Sequence, residues 1–124
     1  MVKLGWLFLA GGAGTLMRYV LTGVVFQALG ARFPYGTLIV NLAGCLIIGF
    51  LFALTDSKLA LSPDTRLYLM VGLLGAFTTF STFILETFAL MKDGEFFLSA
   101  VNVLGSVLLG LAVLYLGILL GEAL

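Results

Sequence analysis

The sequence is poor in the side chains that soluble enzymes use for chemistry. Its 124 residues include no histidine and one cysteine, and only 10% of them are charged. Because the few acidic residues mostly lie in loops or at chain ends, they form no metal-ligand cluster and place no base beside a nucleophile. Cys45 has no partner within the chain for a disulfide, so we expect it to pack within a helix. The sequence therefore does not predict an enzyme.

Apolar residues are abundant instead, at 62% of the chain, with a mean hydropathy of +1.25. Apolar segments cover about residues 4–30, 37–55, 64–91 and 96–121, each near the ~20 residues that a bilayer-spanning helix needs. We predict an all-α protein, one four-helix domain over residues 1–124, which crosses the cell inner (plasma) membrane several times among lipid. Six basic residues balance six acidic ones, which implies neither nucleic acid nor an anionic lipid surface as a partner.

The short segments between the spans carry signals of helix ends. Pro34 and Pro63 both fall there, where a missing backbone donor costs least. Ser62, Pro63 and Asp64 combine a hydroxyl cap, a first-turn proline and an acid at the positive end of a helix. The third span is predicted to begin at this point.

The charges that flank the spans do little to determine which way the chain inserts into the membrane. Four spans put Lys3, Lys58 and Arg66 on one side of the membrane, with Arg32 and Lys92 on the other. Such a weak bias permits insertion in both directions. Four helices are also too few to enclose a polar pathway comfortably, so we expect a homodimer. An antiparallel pair would have the symmetry of inverted-repeat transporters, and a parallel pair is the alternative, which charge alone does not exclude.

One charge lies inside a span. Ala10, Gly14 and Arg18 recur every fourth residue of the first span, so they share a face that a neighbouring helix can approach closely. Arg18 either attracts an anion, or it reaches the interface or pairs with an acid or with carbonyl groups. Long basic side chains near helix ends commonly do the latter, which slightly favours a structural role.

Two further spans carry stripes of small and polar residues at helical spacing. The stripes are Thr37, Asn41, Gly44 or Cys45, and Gly49 in the second span, and Ser99, Asn102, Ser106 and Gly110 in the fourth. Asn41 offers both a donor and an acceptor at bilayer depth. Intramembrane amides and hydroxyls commonly join helices, so residue type alone favours contact between helices over a transport site.

The third span contains GAFTTFSTF, residues 75 to 83, with four hydroxyl side chains and three phenylalanines. Gly72, Gly75 and the pair Thr78 and Thr79 lower helix propensity, which predicts a break. Broken backbone within a membrane must be buried in protein or line a polar cavity, where its carbonyl oxygens can coordinate a cation.

Aromatic and polar side chains follow the predicted break. Phe77, Phe80 and Phe83 recur every third residue, and Thr79, Thr82 and Glu86 form a neighbouring polar track. An aromatic stripe at helical spacing is more often core than site. Ring edges are nevertheless electropositive, and together with hydroxyl and amide donors they could carry a partly dehydrated small anion.

Three segments in order resemble the Fluc (CrcB) family of fluoride channels, and the likeness covers the whole chain. GAFTTFSTF is similar to the family signature G-x-x-T/S-T-F-S-T-F, GGAGTLMRY to its glycine-rich stretch ending in arginine, and GTLIVNLAG to its second-helix motif. The resemblance implies a dual-topology, antiparallel homodimer with two pores, a passive channel that exports cytoplasmic fluoride and protects the cell from its toxicity.

The resemblance also implies roles for particular residues. It places Phe80, Phe83 and Asn41 along the fluoride path, with the backbone carbonyls of Gly75 and Thr78 from both copies around a structural Na⁺ at the dimer centre. Arg18 matches the family arginine, as a vestibule or structural residue. The remaining polar residues assigned to the path are Thr79, Ser81, Thr82, Glu86, Asn102 and Ser106.

The fourth span departs in part from the family pattern. Family members often show a ladder of polar residues there, whereas this chain continues from Ser106 to Gly110 and Leu114. Two other functions remain as alternatives. A proton-coupled small multidrug exporter needs a carboxylate in its first span, where this chain has Arg18, and a non-transporting assembly protein would use the small-residue faces only to join helices.

Overall fold

The computed structural model of the chain describes residues 1–56 and 61–124, with the main chain alone for Asp56. Every regular element in these two ranges is helical. The elements are α1 Val2–Leu29, α2 Tyr35–Asp56, α3 Pro63–Arg66, a π-helical segment Leu67–Leu74, α4 Gly75–Phe77, α5 Phe80–Lys92 and α6 Phe96–Glu122. The third span comprises α3, the π-helical segment, α4 and α5. Helix α1, helix α2, the third span and α6 are each long and apolar enough to cross a membrane, which confirms the four predicted transmembrane helices.

The third span begins where the sequence predicts. Ser62 is the N-cap of α3, and its hydroxyl accepts a hydrogen bond of 3.2 Å from the Thr65 N–H. Pro63 and Asp64 occupy the first turn, where a proline needs no donor and an acid meets the positive end of the helix.

Polar contacts join the chain segments at one end of the bundle. Lys3 Nζ lies 2.7 Å from Asp64 Oδ1, so the first and third spans begin side by side. Arg66 Nη2 donates to the Thr55 carbonyl at 3.0 Å, which brings the end of α2 to the same place. Lys3 and Arg66 therefore share one side, as the charge analysis expects, and Lys58 lies outside the described residues.

Glycines let the helices approach until backbone meets backbone. A Cβ at Gly49 of α2 would overlap the Leu114 carbonyl of α6, and one at Gly117 of α6 would overlap the Leu46 carbonyl of α2. Helix α1 approaches the third span in the same way, since a Cβ at Gly14 would overlap the Leu73 carbonyl. Contacts of this kind replace hydrophobic burial as the source of helix association in lipid.

The residues of the small and polar stripe in the second span contact two different helices. Asn41 and Gly44 face the third span, whereas Gly49 faces α6. The face shared by Ala10, Gly14 and Arg18 is as predicted, because all three contact the third span.

The bundle has a small core built around Val40, Leu51, Leu74 and Phe77. Most large apolar side chains point outward; Phe8, for example, is 80% exposed and Phe80 is 74% exposed. Such a surface is suited to lipid or to another apolar protein surface, and it would be costly in water.

Candidate functional site: the broken third span

The break in the third span comprises two extended residues. Thr78 has φ −81° and ψ 161°, and Thr79 has φ −150° and ψ 121°, both in the β region. Helix α5 restarts at Phe80 with Thr79 as its N-cap, whose hydroxyl oxygen accepts from the Thr82 N–H at 3.3 Å. The Thr79 hydroxyl also donates to the Thr82 hydroxyl at 2.9 Å. The sequence predicts this interruption, and the two adjacent threonines form it.

Asn41 of α2 pairs with the main chain at the break. Its Nδ2 donates to the Thr79 carbonyl at 2.9 Å, and its Oδ1 accepts from the Thr79 N–H, also at 2.9 Å. The single amide thus bonds both main-chain groups of Thr79, and it replaces the acceptor that the N–H would have in a continuous helix. In this setting an unpaired backbone group costs several kcal/mol.

Three other groups hold Thr78. Its hydroxyl donates back to the Leu74 carbonyl at 2.9 Å, and Arg18 Nη1 approaches the Thr78 carbonyl at 3.4 Å. Its methyl group fills the space beside Gly44, because a Cβ built on that glycine would overlap Thr78 Cγ2. Helices α1 and α2 therefore both brace the break. Arg18 makes the carbonyl contact that a structural role for this residue predicts.

The diverted Thr79 N–H has a consequence one turn earlier. In a continuous helix this group would donate to the Gly75 carbonyl, four residues back. Because the Thr79 N–H is bonded to Asn41, the Gly75 carbonyl is released from that partner. A released carbonyl at bilayer depth requires another donor or a cation.

The phenylalanines of the signature separate at the break. Phe77 precedes it and is buried in the core at 3% exposure. Phe80 and Phe83 follow it on α5, with ring centroids 5.9 Å apart and planes tilted by 46°. Phe83 is buried at 8% exposure and Phe80 is 74% exposed. The regular three-residue spacing in the sequence therefore does not become one continuous aromatic face.

A second polar pair lies farther along α5. The Thr37 hydroxyl of α2 donates to Glu86 Oε1 at 2.9 Å. Glu86 Oε2 is buried and has no hydrogen-bond partner among the described residues. The sequence analysis names both residues but does not predict that they meet. That prediction would require the distance between α2 and α5, which the sequence does not give.

Two cavities open beside the polar contacts between α2 and the third span. The larger, of about 930 Å³, is lined mainly by the second half of α1 and the connection to α2, and it includes Thr37 and Glu86. The smaller, of about 320 Å³, lies between α2 and the break and includes Asn41, Thr79 and Phe80. The polar side chains at this contact thus line both spaces, and a small ion could find donors in each.

The fourth span meets α5 through buried polar groups. Asn102 Nδ2 donates to the Thr87 hydroxyl at 2.9 Å, and that hydroxyl donates to the Phe83 carbonyl at 2.7 Å. Asn102 is 1% exposed and Ser99 is 6% exposed. Ser106 Oγ is buried without a hydrogen-bond partner in the part of the chain that the structure describes.

The remaining residues assigned to the path, Ser81 and Thr82, lie at the start of α5. Sequence reasoning missed the contact of Gly44 and the part played by Thr87. A signal existed for Thr87, since it follows Phe83 by four residues and so lies over that carbonyl in a helix. Gly44 belongs to the predicted stripe of the second span, but nothing in the stripe indicates which side chain of the third span it contacts.

The four apolar spans define a small multi-pass membrane protein. One span is broken, and polar side chains of neighbouring helices bond its main chain at the break. Comparison with known families gives the same class. The family model described as CrcB-like protein, Camphor Resistance (CrcB), matches residues 5–118. The chain belongs to the CrcB family.

Several similar proteins carry one name, fluoride-specific ion channel FluC. The protein from Nitratidesulfovibrio vulgaris is 47% identical over 118 residues, which is 95% of each chain. That from Nitrosococcus oceani is 42% identical over 120 residues, 97% of this chain and 96% of the relative. That from Citrifermentans bemidjiense is 44% identical over 124 residues, the whole of both chains. The four spans and these relatives support a multi-pass location in the plasma membrane.

Proposed function

We propose that this protein is a fluoride-selective channel through which cytoplasmic fluoride leaves the cell passively. The observation that carries the proposal is the braced break in the third span, followed at once by Phe80 and Phe83, in a member of the CrcB family. Relatives that align over nearly the whole chain are named fluoride-specific ion channels. An inside-negative potential drives an anion outward by about 2.3 kcal/mol per 100 mV, so no energy source besides the membrane potential is needed.

The path for the ion runs between α2 and the break, past the start of α5. Fluoride is small and strongly hydrated, so a channel has to replace part of its water with donors that hold it only briefly. Asn41 has two N–H donors on Nδ2, and one of them goes to the Thr79 carbonyl, which leaves the other for an ion in the smaller cavity. The electropositive edges of the Phe80 and Phe83 rings supply weak contacts beside it.

Hydroxyl groups continue the path on either side of the rings. Thr79, Ser81 and Thr82 stand at the start of α5, where backbone N–H groups also point toward an anion. Glu86 and Ser106 each carry a buried oxygen without a partner among the described residues, as expected of groups that bind a passing ion or its water. A protonated Glu86 would donate to fluoride, whereas an ionised one would interact through water.

A second copy of the chain would complete the site. The smaller cavity contains polar main chain from the break, and Phe80 beside it is 74% exposed. Backbone at this depth is tolerated only where protein or a water-filled space covers it, and a protein surface opposite the cavity would shield it from lipid. An antiparallel homodimer supplies that surface, and the weak charge bias permits it.

A structural Na⁺ fits at the centre of such a dimer. The Gly75 carbonyl has lost the Thr79 N–H as its donor, and a Cβ at Gly75 would meet only the Met70 carbonyl, at 3.8 Å, so the backbone is accessible. The Thr78 carbonyl accepts one long contact from Arg18, and a carbonyl oxygen has a second lone pair. Carbonyls of Gly75 and Thr78 from two copies would give a hard cation the oxygen ligands it prefers.

The sodium proposal is tested by removing the metal. Purification with N-methylglucamine in place of Na⁺, with sodium depletion verified by elemental analysis, should lower fluoride efflux and shift the protein toward monomer. Restoring Na⁺ should reverse both effects. Unchanged dimer and flux in sodium-free protein would show that these carbonyls hold no essential cation.

The first role of Arg18 in this site is structural. Its guanidinium contacts the Thr78 carbonyl, and its remaining N–H donors are available to an anion that approaches the half-buried side chain. An arginine cannot lose its charge, so it would raise the local fluoride concentration while it supports the break.

Flux measurements separate this proposal from its alternatives. Purified protein in liposomes, with efflux followed by fluoride and chloride electrodes, should release fluoride and retain chloride. Proton movement driven by a cationic drug would instead identify a multidrug exporter, and no flux of any kind would identify an assembly protein. The first span Val2–Leu29 has no acidic residue to exchange protons, which counts against the exporter.

A further inference from the structure

The half-helix that carries the two phenylalanines makes polar contacts at three places, two with α2 and one with α6. At its start, Thr79 is bonded to Asn41. One turn beyond the rings, Glu86 accepts from Thr37. On the side of the fourth span, the residue after Glu86 accepts from α6. Because the break separates α5 from α4, the backbone hydrogen bonds of the earlier helix do not fix the rotation of α5. These contacts, together with the packing of α5 against α6, take over that role.

The contact with the fourth span reaches the main chain of Phe83 itself. Asn102 Nδ2 donates to Thr87 Oγ1 at 2.9 Å, and Thr87 Oγ1 donates to the Phe83 carbonyl at 2.7 Å. Asn102 is 1% exposed and Thr87 is 7% exposed, so both bonds are shielded from solvent. An amide that donates to a hydroxyl strengthens the hydrogen bond that the hydroxyl donates in turn.

We propose that Thr87 and Asn102 are positioning residues for Phe83, which set the height and rotation of its ring through the Phe83 carbonyl without touching the ion. The proposal rests on the proposed function, because it gives the ring position a consequence for fluoride selectivity. Asn102 then supports the path indirectly: its amide donates to Thr87, and it does not contact the ion. Among the described residues, the Thr87 hydroxyl is the side chain that bonds the Phe83 main chain.

The ring position is read directly by a ¹⁹F label. 4-Fluorophenylalanine at position 83 should give a ¹⁹F resonance that shifts or broadens in Thr87→Val and in Asn102→Leu. Thr87→Ser keeps the hydroxyl and should keep the resonance. The same label at position 8, on the exposed face of α1, serves as the control and should be unaffected by all three changes.

The functional consequence is measured in proteoliposomes. Thr87→Val removes one hydroxyl at nearly constant volume and should lower fluoride efflux about fivefold to tenfold, the effect of one buried hydrogen bond, while the fluoride-to-chloride ratio falls. Thr87→Ser should restore both values. Thr15→Val is the matched control, because the Thr15 hydroxyl makes the same bond four residues back, to Gly11, but faces outward.

The two proposals fail in different ways. If the protein conducts no fluoride, the proposed function is wrong, and the ¹⁹F signal still decides whether Thr87 positions the ring. If Thr87→Val forms the native oligomer with an unchanged ¹⁹F signal and wild-type flux, the positioning role is wrong and the channel stands. Should Thr87→Val fail to fold, Thr87→Ala and Asn102→Leu provide the same two readouts, and wild-type values in either would overturn the proposal.

Discussion

Asn41 and Thr79 exchange two hydrogen bonds of 2.9 Å, side-chain amide to main chain, at the point where the third span loses its helix. The second span thus supplies hydrogen-bond partners to the main chain at the break. The break is a built feature of the fold, because its donor and acceptor are both satisfied by a residue 38 positions away in sequence.

Asn41→Leu should therefore destabilise the protein as well as stop transport. The change keeps the number and branching of side-chain atoms but leaves the Thr79 N–H unpaired and removes one donor from the Thr79 carbonyl, at about 1–3 kcal/mol for the unpaired group. We expect a lower thermal midpoint in detergent and loss of fluoride efflux. Gln27→Leu removes an exposed amide from α1 and should leave the midpoint unchanged. An Asn41→Leu protein as stable as the wild type would mean that the break does not need this amide.

Gly44 and Thr78 should behave as a compensating pair. A Cβ at Gly44 would overlap Thr78 Cγ2, so Gly44→Ala should push the break outward and lower fluoride efflux. Thr78→Ser removes Cγ2 and leaves Thr78 Cβ at 3.7 Å, an ordinary contact distance. The double variant Gly44→Ala with Thr78→Ser should recover most of the efflux that Gly44→Ala loses. Equal losses in the single and the double variant would exclude this contact as the cause.

Phe80→Ile and Phe83→Ile should each cut fluoride efflux strongly, by about tenfold or more, an effect of about 1.4 kcal/mol on the barrier. Isoleucine keeps an apolar side chain but removes the electropositive ring edge. Size-exclusion chromatography should show the same oligomer as the wild type. Phe8→Ile, at an exposed position of α1, is the matched control and should conduct normally. Normal efflux in both ring variants would remove these rings from the path.

Gly117→Ala should destabilise the contact between α2 and α6. The added Cβ would overlap the Leu46 carbonyl and approach the Phe50 nitrogen at 3.0 Å, so the two backbones have to separate. Forced separation of well-packed elements costs about 1–3 kcal/mol. Gly105→Ala, on the same helix but with no atom within 4 Å of the new Cβ, should be neutral or stabilising. Thermal unfolding in detergent measures both, and equal midpoints would contradict the close approach.

The four spans, the start of the third and its break were predictable because each has a local cause. Apolar length gives the spans, Ser62 with Pro63 and Asp64 gives a helix start, and paired threonines after glycines give an interruption. The family and its function were predicted from the resemblance of three motifs. Composition and residue spacing alone do not indicate either.

The partners of these residues were not predictable, since they depend on how far apart and how rotated the helices are. The sequence contains Asn41 and Thr79 in neighbouring spans but does not show that they meet. It gives no sign of the hydrogen bond to Glu86, and it aligns Phe77 with Phe80 although the break sends Phe77 into the core. The π-helical segment Leu67–Leu74 also lacks a local signal, because the same apolar residues suit an α-helix.

The reversal potential of the purified channel in a planar bilayer tests the central claim most directly. With a tenfold fluoride gradient opposed by an equal chloride gradient, a fluoride-selective pore should reverse near the fluoride equilibrium potential, at about 59 mV. Reversal at the same magnitude with the opposite sign would mean that chloride is the ion carried. Reversal at zero would mean that the pore does not distinguish the two halides, and either result would contradict the account.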